Sequence, residues 1–170
     1  QARSRLFSGK ITQGQVNGLT AILDEWEGKY KNKDDRWLAY MLATVHHETD
    51  RQFKGIEEYG KGKGLKYGKK IKLNGDAYST PNKIYYGRGF VQLTWYENYD
   101  KAGKKLGIDL LNQPELALDL ANSTKILFLG MMEGWFTGAK LSKYFNADTQ
   151  DWVKARRIIN GLDKANLIAT

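Results

Sequence analysis

The chain has 170 residues, a length that suits one domain with a core of its own. It has no cysteine, which excludes disulfide bonds and thiolate chemistry, and no apolar run approaches the roughly 18–20 residues of a membrane crossing. Its 27 basic and 19 acidic residues leave a net charge of +8, which favours a polyanionic neighbour such as nucleic acid, anionic lipid or an acidic cell wall.

The first third of the chain is predicted to form two amphipathic helices. Thr12 and Gln15 have the spacing of a capping box, and apolar residues then recur at helical spacing, which predicts a first helix over about 13–29. After the charged segment 31–35, a second apolar stripe with the same spacing runs to Glu48. Glu48 therefore continues the apolar face of a helix.

The middle of the chain is predicted to be a small lobe of loops and short strands. Residues 55–80 lack apolar periodicity because glycines and lysines interrupt the segment throughout. Asn74 and Gly75 have the form of a two-residue hairpin turn, and residues 85–93 are β-rich in type. We therefore expect a β or loop lobe over about 55–93, inserted between helices.

Three more helices are predicted in the second half of the chain. Thr94 and Glu97 have the form of a capping box that opens a helix over 94–107. A proline at its first position starts the next helix, over 114–131, and an acidic pair opens the last, over 148–161. The sum is a mainly α chain, interpreted as one catalytic domain over residues 1–170.

Glu48 is the first residue whose position suggests chemistry. A carboxyl group that extends an apolar stripe is desolvated, which raises its pKa and keeps a proton available for a leaving group. Glycosidic hydrolysis also needs a second carboxylate, and Glu57 and Glu58 follow in the adjacent loop. The alternative is structural: Glu48 at a solvated helix end bonded to Arg51, and two solvated surface glutamates.

Other catalytic motifs fail on spacing. His47 and Glu48 begin like a zinc-protease helix, but Arg51 stands where the second histidine must fall. The two histidines are neighbours, so they cannot form a two-histidine zinc face, and the chain contains no G-x-S-x-G or nucleotide-binding glycine motif. The sequence therefore predicts neither a metal site nor a cofactor.

The segment YYGRGFVQLTWYENY, residues 85–99, has the residues of a sugar-binding surface. Aromatic rings supply flat faces for sugars and the glycines allow close backbone approach, so we predict sugar contacts from Tyr86, Arg88 and Trp95. The alternative is that the rings belong to the core. The hydroxyl of Thr94 either caps a helix or faces the cleft and holds the attacking water, with Asn98 one turn further along.

Four elements, HHETD, IEEYG, YYGRGFVQLTWYENY and RRIINGLD, resemble glycoside hydrolase family 19, the chitinase class I fold. The resemblance runs in order from about Leu38 to Leu167 and is closest to the short, cysteine-free branch found as phage and prophage endolysins. It implies a two-lobed, lysozyme-like, mainly α fold with a small β-hairpin or loop lobe. It also implies inverting hydrolysis of a β-1,4 amino-sugar linkage without a cofactor.

The resemblance also implies roles for particular residues. Glu48 matches the general acid and Glu57 the general base, with Glu58 as its rival because relatives often have E-N where this chain has E-E-Y. Thr94 matches the residue that orients the attacking water. The matches to substrate-contacting positions are Gln92, Asn98 and Asn160.

Chitin and peptidoglycan share this linkage, and the context favours peptidoglycan. The chain has no cysteine, its amino-terminal end shows no signal-peptide pattern, and its positive charge suits an anionic wall. We therefore expect a monomeric endolysin, made in the cytoplasm of a bacterial host and acting at the cell wall after holin-type release. Its basic surface also suits anionic outer-membrane or wall polymers.

Three rival functions stay open at the level of sequence. A chitinase would use the same residues, and a non-catalytic wall-binding module would keep the fold without turnover. A nucleic-acid-binding protein would use the lysines of residues 61–72, but no segment resembles a reading helix, so no nucleic-acid partner is expected.

Overall fold

Helices dominate the computed structural model, which describes residue 7 and residues 9–170, and this confirms the predicted mainly α class. Within that range the α-helices are α1 (Gln13–Glu25), α2 (Asp35–Glu48), α3 (Tyr96–Leu106), α4 (Leu120–Glu133), α5 (Leu141–Tyr144) and α6 (Ala165–Ala169). A π-helical turn (Trp26–Tyr30) extends α1, and 3₁₀ turns cover Tyr67–Lys69, Pro114–Leu118 and Lys154–Ile158. No helix of the described residues is long and apolar enough to cross a membrane.

The capping box at the start of α1 is confirmed. The Thr12 hydroxyl accepts a hydrogen bond from the Gln15 amide at 3.2 Å, and the Gln15 side chain accepts one from the Thr12 amide at 2.8 Å. These two bonds satisfy donors that a helix start otherwise leaves unpaired. The helix then buries Ile22, and the π-helical turn buries Trp26.

Helix α2 contributes one face to the core. The Asp34 carboxylate caps it by accepting from the Arg36 amide at 3.0 Å. Tyr40, Met41 and Val45 are fully buried along one face, as the apolar stripe predicts. Because Glu48 is the last residue of the helix, the packing of this face determines where its carboxylate lies.

The core brings α2, α4 and the small lobe together. Helix α1 packs on α4, and α4 also contacts α2, α3 and α5. The largest fully buried side chains are aromatic: Tyr40, Phe53, Tyr85, Phe90, Tyr99, Phe128 and Phe145. Each such ring removes a large apolar area from water, so these contacts hold the helices and the lobe in one arrangement.

The small lobe contains two short antiparallel strands, β1 (Ile56–Glu57) and β2 (Arg88–Gly89), which pair Glu57 with Arg88. The chain reverses at the predicted Asn74 and Gly75, but through a three-residue loop over 73–75 and not the predicted two-residue turn. An isolated bridge joins residues 71 and 77, and the Lys72 amide donates to the Asp76 carbonyl at 2.7 Å. Gly75 has φ +94°, a left-handed conformation that favours glycine.

The predicted capping box at Thr94 and Glu97 is wrong. The residue that precedes α3 is Trp95, whose φ of +78° marks a sharp entry into the helix. The Thr94 hydroxyl donates to the Gln92 carbonyl at 2.7 Å, and the Glu97 carboxylate accepts from the Leu73 amide at 2.6 Å. A carbonyl two residues earlier therefore takes the Thr94 hydroxyl, and an amide 24 residues away takes the Glu97 carboxylate. The predicted helix end at Gly107 is confirmed, with φ +69°.

The other two predicted helices are interrupted. Pro114 starts a 3₁₀ turn that ends at Leu118, and α4 begins anew because the Asp119 carboxylate accepts from the amides of Ala121 and Asn122, each at 3.1 Å. The helix predicted over 148–161 forms only the 3₁₀ turn Lys154–Ile158. In this turn Arg156 is buried, and its side chain bonds the Asp163 carbonyl and Glu48.

Candidate active site

A cleft of about 570 Å³ opens where the end of α2 meets segments 91–98 and 157–161. It brings together six of the ten predicted site residues, which are Glu48, Gln92, Thr94, Trp95, Asn98 and Asn160. Tyr67, Phe136, Thr137 and Arg157 also line it, and sequence reasoning assigned none of these four to the site. Chain segments far apart in sequence therefore contribute polar and aromatic groups to one concave surface.

Glu48 lies at the wall of the cleft with its side chain 15% exposed. The Arg156 guanidinium donates to its Oε1 atom at 2.5 Å, across 108 positions of the chain. This contact replaces the local bond to Arg51 that the structural alternative supposed. Arg156 is itself buried, and its Nε atom donates to the Asp163 carbonyl at 3.0 Å. One oxygen of Glu48 is thus held by a fixed cation.

Arg156 is the functional neighbour that sequence reasoning missed. The motif RRIINGLD contains it, so a signal was present, but the residues of that motif matched to family positions were Asn160 and Asp163. Spacing alone cannot pair residues 48 and 156, because the contact depends on how the 3₁₀ turn Lys154–Ile158 packs beside the end of α2.

A chain of hydrogen bonds orders the polar floor of the cleft. The Gln92 side-chain amide donates to the carbonyls of Ile56 and Gly89, each at 3.1 Å. The Thr94 hydroxyl donates to the Gln92 carbonyl at 2.7 Å, and the Asn98 amide group donates to the Thr94 carbonyl at 2.8 Å. Because Thr94 uses its only hydroxyl proton in this bond, its oxygen lone pairs remain to accept a bond from water or a sugar hydroxyl.

The Glu57 carboxylate has three cationic or phenolic neighbours. The Tyr86 hydroxyl donates to Oε1, the Lys61 ammonium lies 2.9 Å from Oε2, and Arg88 Nε lies 3.8 Å from Oε1. The hydrogen bond from Tyr86, followed by that from Lys61, lowers the pKa of Glu57 below its usual value. The side chain is 36% exposed, and it lies outside the group that lines the cleft.

The adjacent Glu58 has a different environment. Its Oε2 atom accepts from the Tyr67 hydroxyl at 2.8 Å and from the Gly87 amide at 3.0 Å, while Oε1 faces the Gly62 amide at 3.4 Å. Burial and the bond to Glu58 raise the pKa of Tyr67. Oε2 therefore connects Tyr67 of the cleft wall with the residue before β2, and Oε1 bonds the loop at Gly62.

Tyr86 and Arg88 are not among the residues that line the cleft, and the sugar contacts predicted for them stay predictions. They are 7% and 6% exposed, so both residues are buried. The Arg88 guanidinium lies 3.6 Å from the Tyr86 ring centre and donates to the Tyr99 hydroxyl at 3.0 Å. Among the described residues its Nε atom has no hydrogen-bond partner and is directed towards Glu57.

The two remaining predicted contacts, Trp95 and Asn160, both line the cleft. The Trp95 ring packs edge to face against Tyr67, with ring centres 5.4 Å apart. The Asn160 side-chain oxygen accepts from the Gly161 amide at 2.8 Å, so its NH₂ group is the part that can donate to a ligand. Within the described part of the chain, no group of three or more acidic, histidine or cysteine side chains could hold a metal ion.

A mainly helical fold with a carboxylate at a helix end, facing a polar β lobe across a cleft, defines the lysozyme-like class of glycosidase folds. The model of the chitinase class I family matches residues 27–150, so the chain belongs to glycoside hydrolase family 19, as its motifs predicted.

The relatives include plant and bacterial chitinases. "Endochitinase At2g43620" of Arabidopsis thaliana is 37% identical over 145 residues, which cover 84% of this chain and 46% of that protein. The chain spans about half the length of the curated relatives it matches. Chitinase C from Streptomyces griseus HUT6037 is similar in structure, with a TM-score of 0.67 and 28% identity over 92% of this chain and 63% of the other.

A second solved structure, described as a bacterial family 19 chitinase that differs from the plant enzymes, gives a TM-score of 0.55. It is 30% identical and covers 85% of this chain and 69% of its own. The membership of the family is therefore shown by both sequence and structure, whereas the predicted endolysin branch stays a prediction.

Proposed function

We propose that this chain hydrolyses β-1,4 bonds of peptidoglycan by an inverting acid and base mechanism. The observation that carries the proposal is the position of Glu48, which ends a buried helix at the wall of the cleft that Thr94 and Asn98 line. An inverting glycosidase needs a proton donor on one side of the bond and a base on the other, about 6.5–9.5 Å apart with water between them. Glu48 and the β lobe supply these two sides.

Glu48 is the proton donor in this mechanism. Arg156 occupies Oε1, so Oε2 is the atom that we assign to the proton and to the glycosidic oxygen. The buried guanidinium fixes the direction of the carboxyl group before substrate binds, which lowers the cost of reaching the reactive geometry. Arg156 is a positioning residue, since it acts through Glu48.

Glu57 is the base that we favour over Glu58. Its side chain is 36% exposed, so its carboxylate is accessible to water. The oxygens of Glu58 already accept bonds that hold the loop in place. Thr94 then orients the attacking water by accepting a hydrogen bond from it, while its own proton is bonded to Gln92.

The test of the catalytic assignment is the substitution Glu48→Gln, which keeps the shape of the side chain and removes the acid. We expect hydrolysis to fall by at least about 100-fold, the usual contribution of a general acid, with an unchanged circular dichroism spectrum. Release of reducing ends from purified sacculi is the measurement. Near-normal hydrolysis by the folded variant would sink the assignment.

Peptidoglycan is favoured over chitin by charge. The net charge of +8 attracts an anionic wall, whereas chitin is uncharged and gains nothing from it. We further propose an endolysin role: synthesis in the cytoplasm of a bacterial host, holin-type release, and action at the wall as a monomer. Anionic outer-membrane or wall polymers are then secondary partners of the basic surface.

A chitinase is the second candidate, because the relatives reported above are named chitinases and endochitinases. Mass spectrometry of fragments released from sacculi and from N-acetylglucosamine oligomers separates the two candidates. Efficient cleavage of the oligomers with intact sacculi would assign the chain to chitin. Fragments whose ends map to one amino sugar of the wall would identify the bond that is cut.

A further inference from the structure

Arg157 is the cationic side chain that lines the cleft within the described part of the chain. It lies on the 3₁₀ turn Lys154–Ile158, next to the arginine that holds Glu48, and it is exposed. The proposed hydrolysis does not use it, since proton donor, base and water-orienting hydroxyl are other residues. A positive charge in a sugar-binding cleft therefore needs its own explanation.

Neighbouring carboxylates leave this guanidinium available. Among the described residues no carboxylate oxygen lies within 4.0 Å of Arg157, as an ion pair requires. Glu48 is engaged by Arg156 at 2.5 Å. Asp151 bonds the Lys154 ammonium at 3.0 Å and the Lys154 amide at 2.9 Å, and Arg157 contributes less to its lowered pKa than Lys154 does.

The backbone that carries Arg157 is anchored. The Thr137 hydroxyl donates to the Arg157 carbonyl at 2.5 Å, and the Asn160 amide donates to the Arg156 carbonyl at 3.1 Å. Thr137 and Asn160 themselves line the cleft. The arginine side chain thus starts from a fixed point of the wall, and its planar fork is the geometry that binds a carboxylate through two parallel hydrogen bonds.

We propose that Arg157 binds a carboxylate of the glycan substrate and thereby selects an acidic amino-sugar polymer over a neutral one. The inference rests on the proposed function and deepens it by naming a residue that determines substrate class. Chitin presents hydroxyl and acetamido groups without charge. Peptidoglycan can present a carboxylate from two sources: the lactyl group of a muramyl sugar that carries no peptide, and the peptide itself where one is joined to that group by an amide bond.

The experiment compares the chain with its R157Q and R157K variants on glycan strands of defined charge. The substrates are sacculi with their peptides, strands freed of peptide, and both materials after methyl esterification. The quantity is the ratio of kcat/KM on the carboxylate form to kcat/KM on the ester. We expect R157Q to lower this ratio about 10- to 100-fold, the range for a lost charge-assisted bond, and R157K to retain part of it.

The two carboxylate sources give different outcomes. If R157Q loses selectivity on peptide-free strands, the lactyl carboxylate is the group that Arg157 binds. If R157Q loses selectivity only on intact sacculi, Arg157 binds a carboxylate of the peptide. The matched control is R51Q, which removes an exposed arginine from a separate groove. We expect R51Q to leave the ratio unchanged. An unchanged ratio in R157Q, or an equal change in R51Q, overturns the proposal.

A binding measurement separates this inference from the proposed function. Calorimetric titration of Glu48→Gln with and without R157Q, using the same strands, reports recognition in the absence of turnover. If the parent chain hydrolyses none of the substrates but Glu48→Gln still prefers carboxylate strands through Arg157, the proposed function fails and this inference stands. If neither methyl esterification of the strands nor the added R157Q substitution changes the affinity of Glu48→Gln, the inference fails while the proposed function is unaffected.

Discussion

Glu57 and Glu58 show how far two adjacent identical side chains can differ. Glu57 ends strand β1 and Glu58 is the next residue, so their side chains leave the chain on opposite sides. Glu57 meets Tyr86, Lys61 and Arg88, while Glu58 meets a phenol and two backbone amides. The first environment stabilises an ionised carboxylate that water can reach, and the second uses a carboxylate to hold a loop.

The comparison of Glu57→Gln with Glu58→Gln tests this division. We expect Glu57→Gln to lower kcat by about 10²–10⁴-fold with little effect on unfolding, because a positioned base is lost. Glu58→Gln should retain most activity and unfold at lower urea concentration, because an amide cannot accept all of the same bonds. Turnover on sacculi and urea denaturation measure the two effects. The opposite pattern would make Glu58 the base.

The hydrogen bond from Tyr86 predicts a pH effect. It lowers the pKa of Glu57, and the base is active when ionised, so activity is lost as pH falls through that pKa. Tyr86→Phe removes the bond, which raises the pKa and moves the acid limb of kcat/KM to higher pH. The control is Tyr59→Phe, since Tyr59 is fully exposed. An acid limb that stays in place in Tyr86→Phe would contradict the assignment of Glu57.

At the scale of elements, the ends of helices decide the shape of the site. The capping box at Thr12 works because both partners lie within one turn and meet no competitor. The similar pattern at Thr94 fails because Gln92 and Leu73 offer other partners. A Thr94 that capped the helix would use a lone pair of its hydroxyl oxygen on a backbone amide, whereas the observed bond to the Gln92 carbonyl uses only its proton.

The break before α4 predicts a measurable loss of stability. The Asp119 carboxylate accepts from two amides of the first turn, so Asp119→Ala should lower the free energy of unfolding by about 1 kcal/mol. Asp119→Asn should retain most of this stability, because asparagine is an equally good cap. Urea denaturation of the three proteins is the measurement. Equal stability of Asp119→Ala and the parent chain would show that Pro114 and the 3₁₀ turn suffice to position α4.

At the scale of the whole molecule, positive charge is concentrated beside the cleft. Lys63, Lys66 and Lys69 are exposed on the loop whose Tyr67 lines the cleft, and none has a carboxylate partner in the described part of the chain. Glu57 and Glu58 already bond other groups, so the ammonium groups of these three lysines face solvent without a neutralising partner. Such a surface attracts an anionic polymer towards the cleft.

Salt and lysine substitution test this attraction. Raising ionic strength from about 0.05 M to about 0.5 M shortens electrostatic range several-fold and should weaken binding to sacculi but not to neutral oligomers. The triple substitution of Lys63, Lys66 and Lys69 by Gln should reproduce the loss at low salt. The matched control changes the exposed Lys31, Lys33 and Lys125 to Gln, with the same change in net charge. Equal losses in both triples would assign the effect to net charge rather than to this loop.

The sequence by itself determined the mainly α class, the family, the capped start of α1, the stripe that ends at Glu48 and the chain reversal at Asn74 and Gly75. Periodicity, capping and turn chemistry act over a few neighbouring residues, so they can be predicted from local order. The sequence also supplied six of the residues that line the cleft.

Only the tertiary structure decided which groups surround the two carboxyl sites. The bond from Arg156 to Glu48 spans 108 positions, and the buried stack of Tyr86, Arg88 and Tyr99 forms only when β2 packs on α3. Burial and long-range partners then separated Glu57 from Glu58, and a long-range partner, the Leu73 amide, took the Glu97 carboxylate away from the start of α3. The physical reason is that a side chain forms the strongest bonds its packed surroundings offer, and those surroundings are assembled from distant parts of the chain.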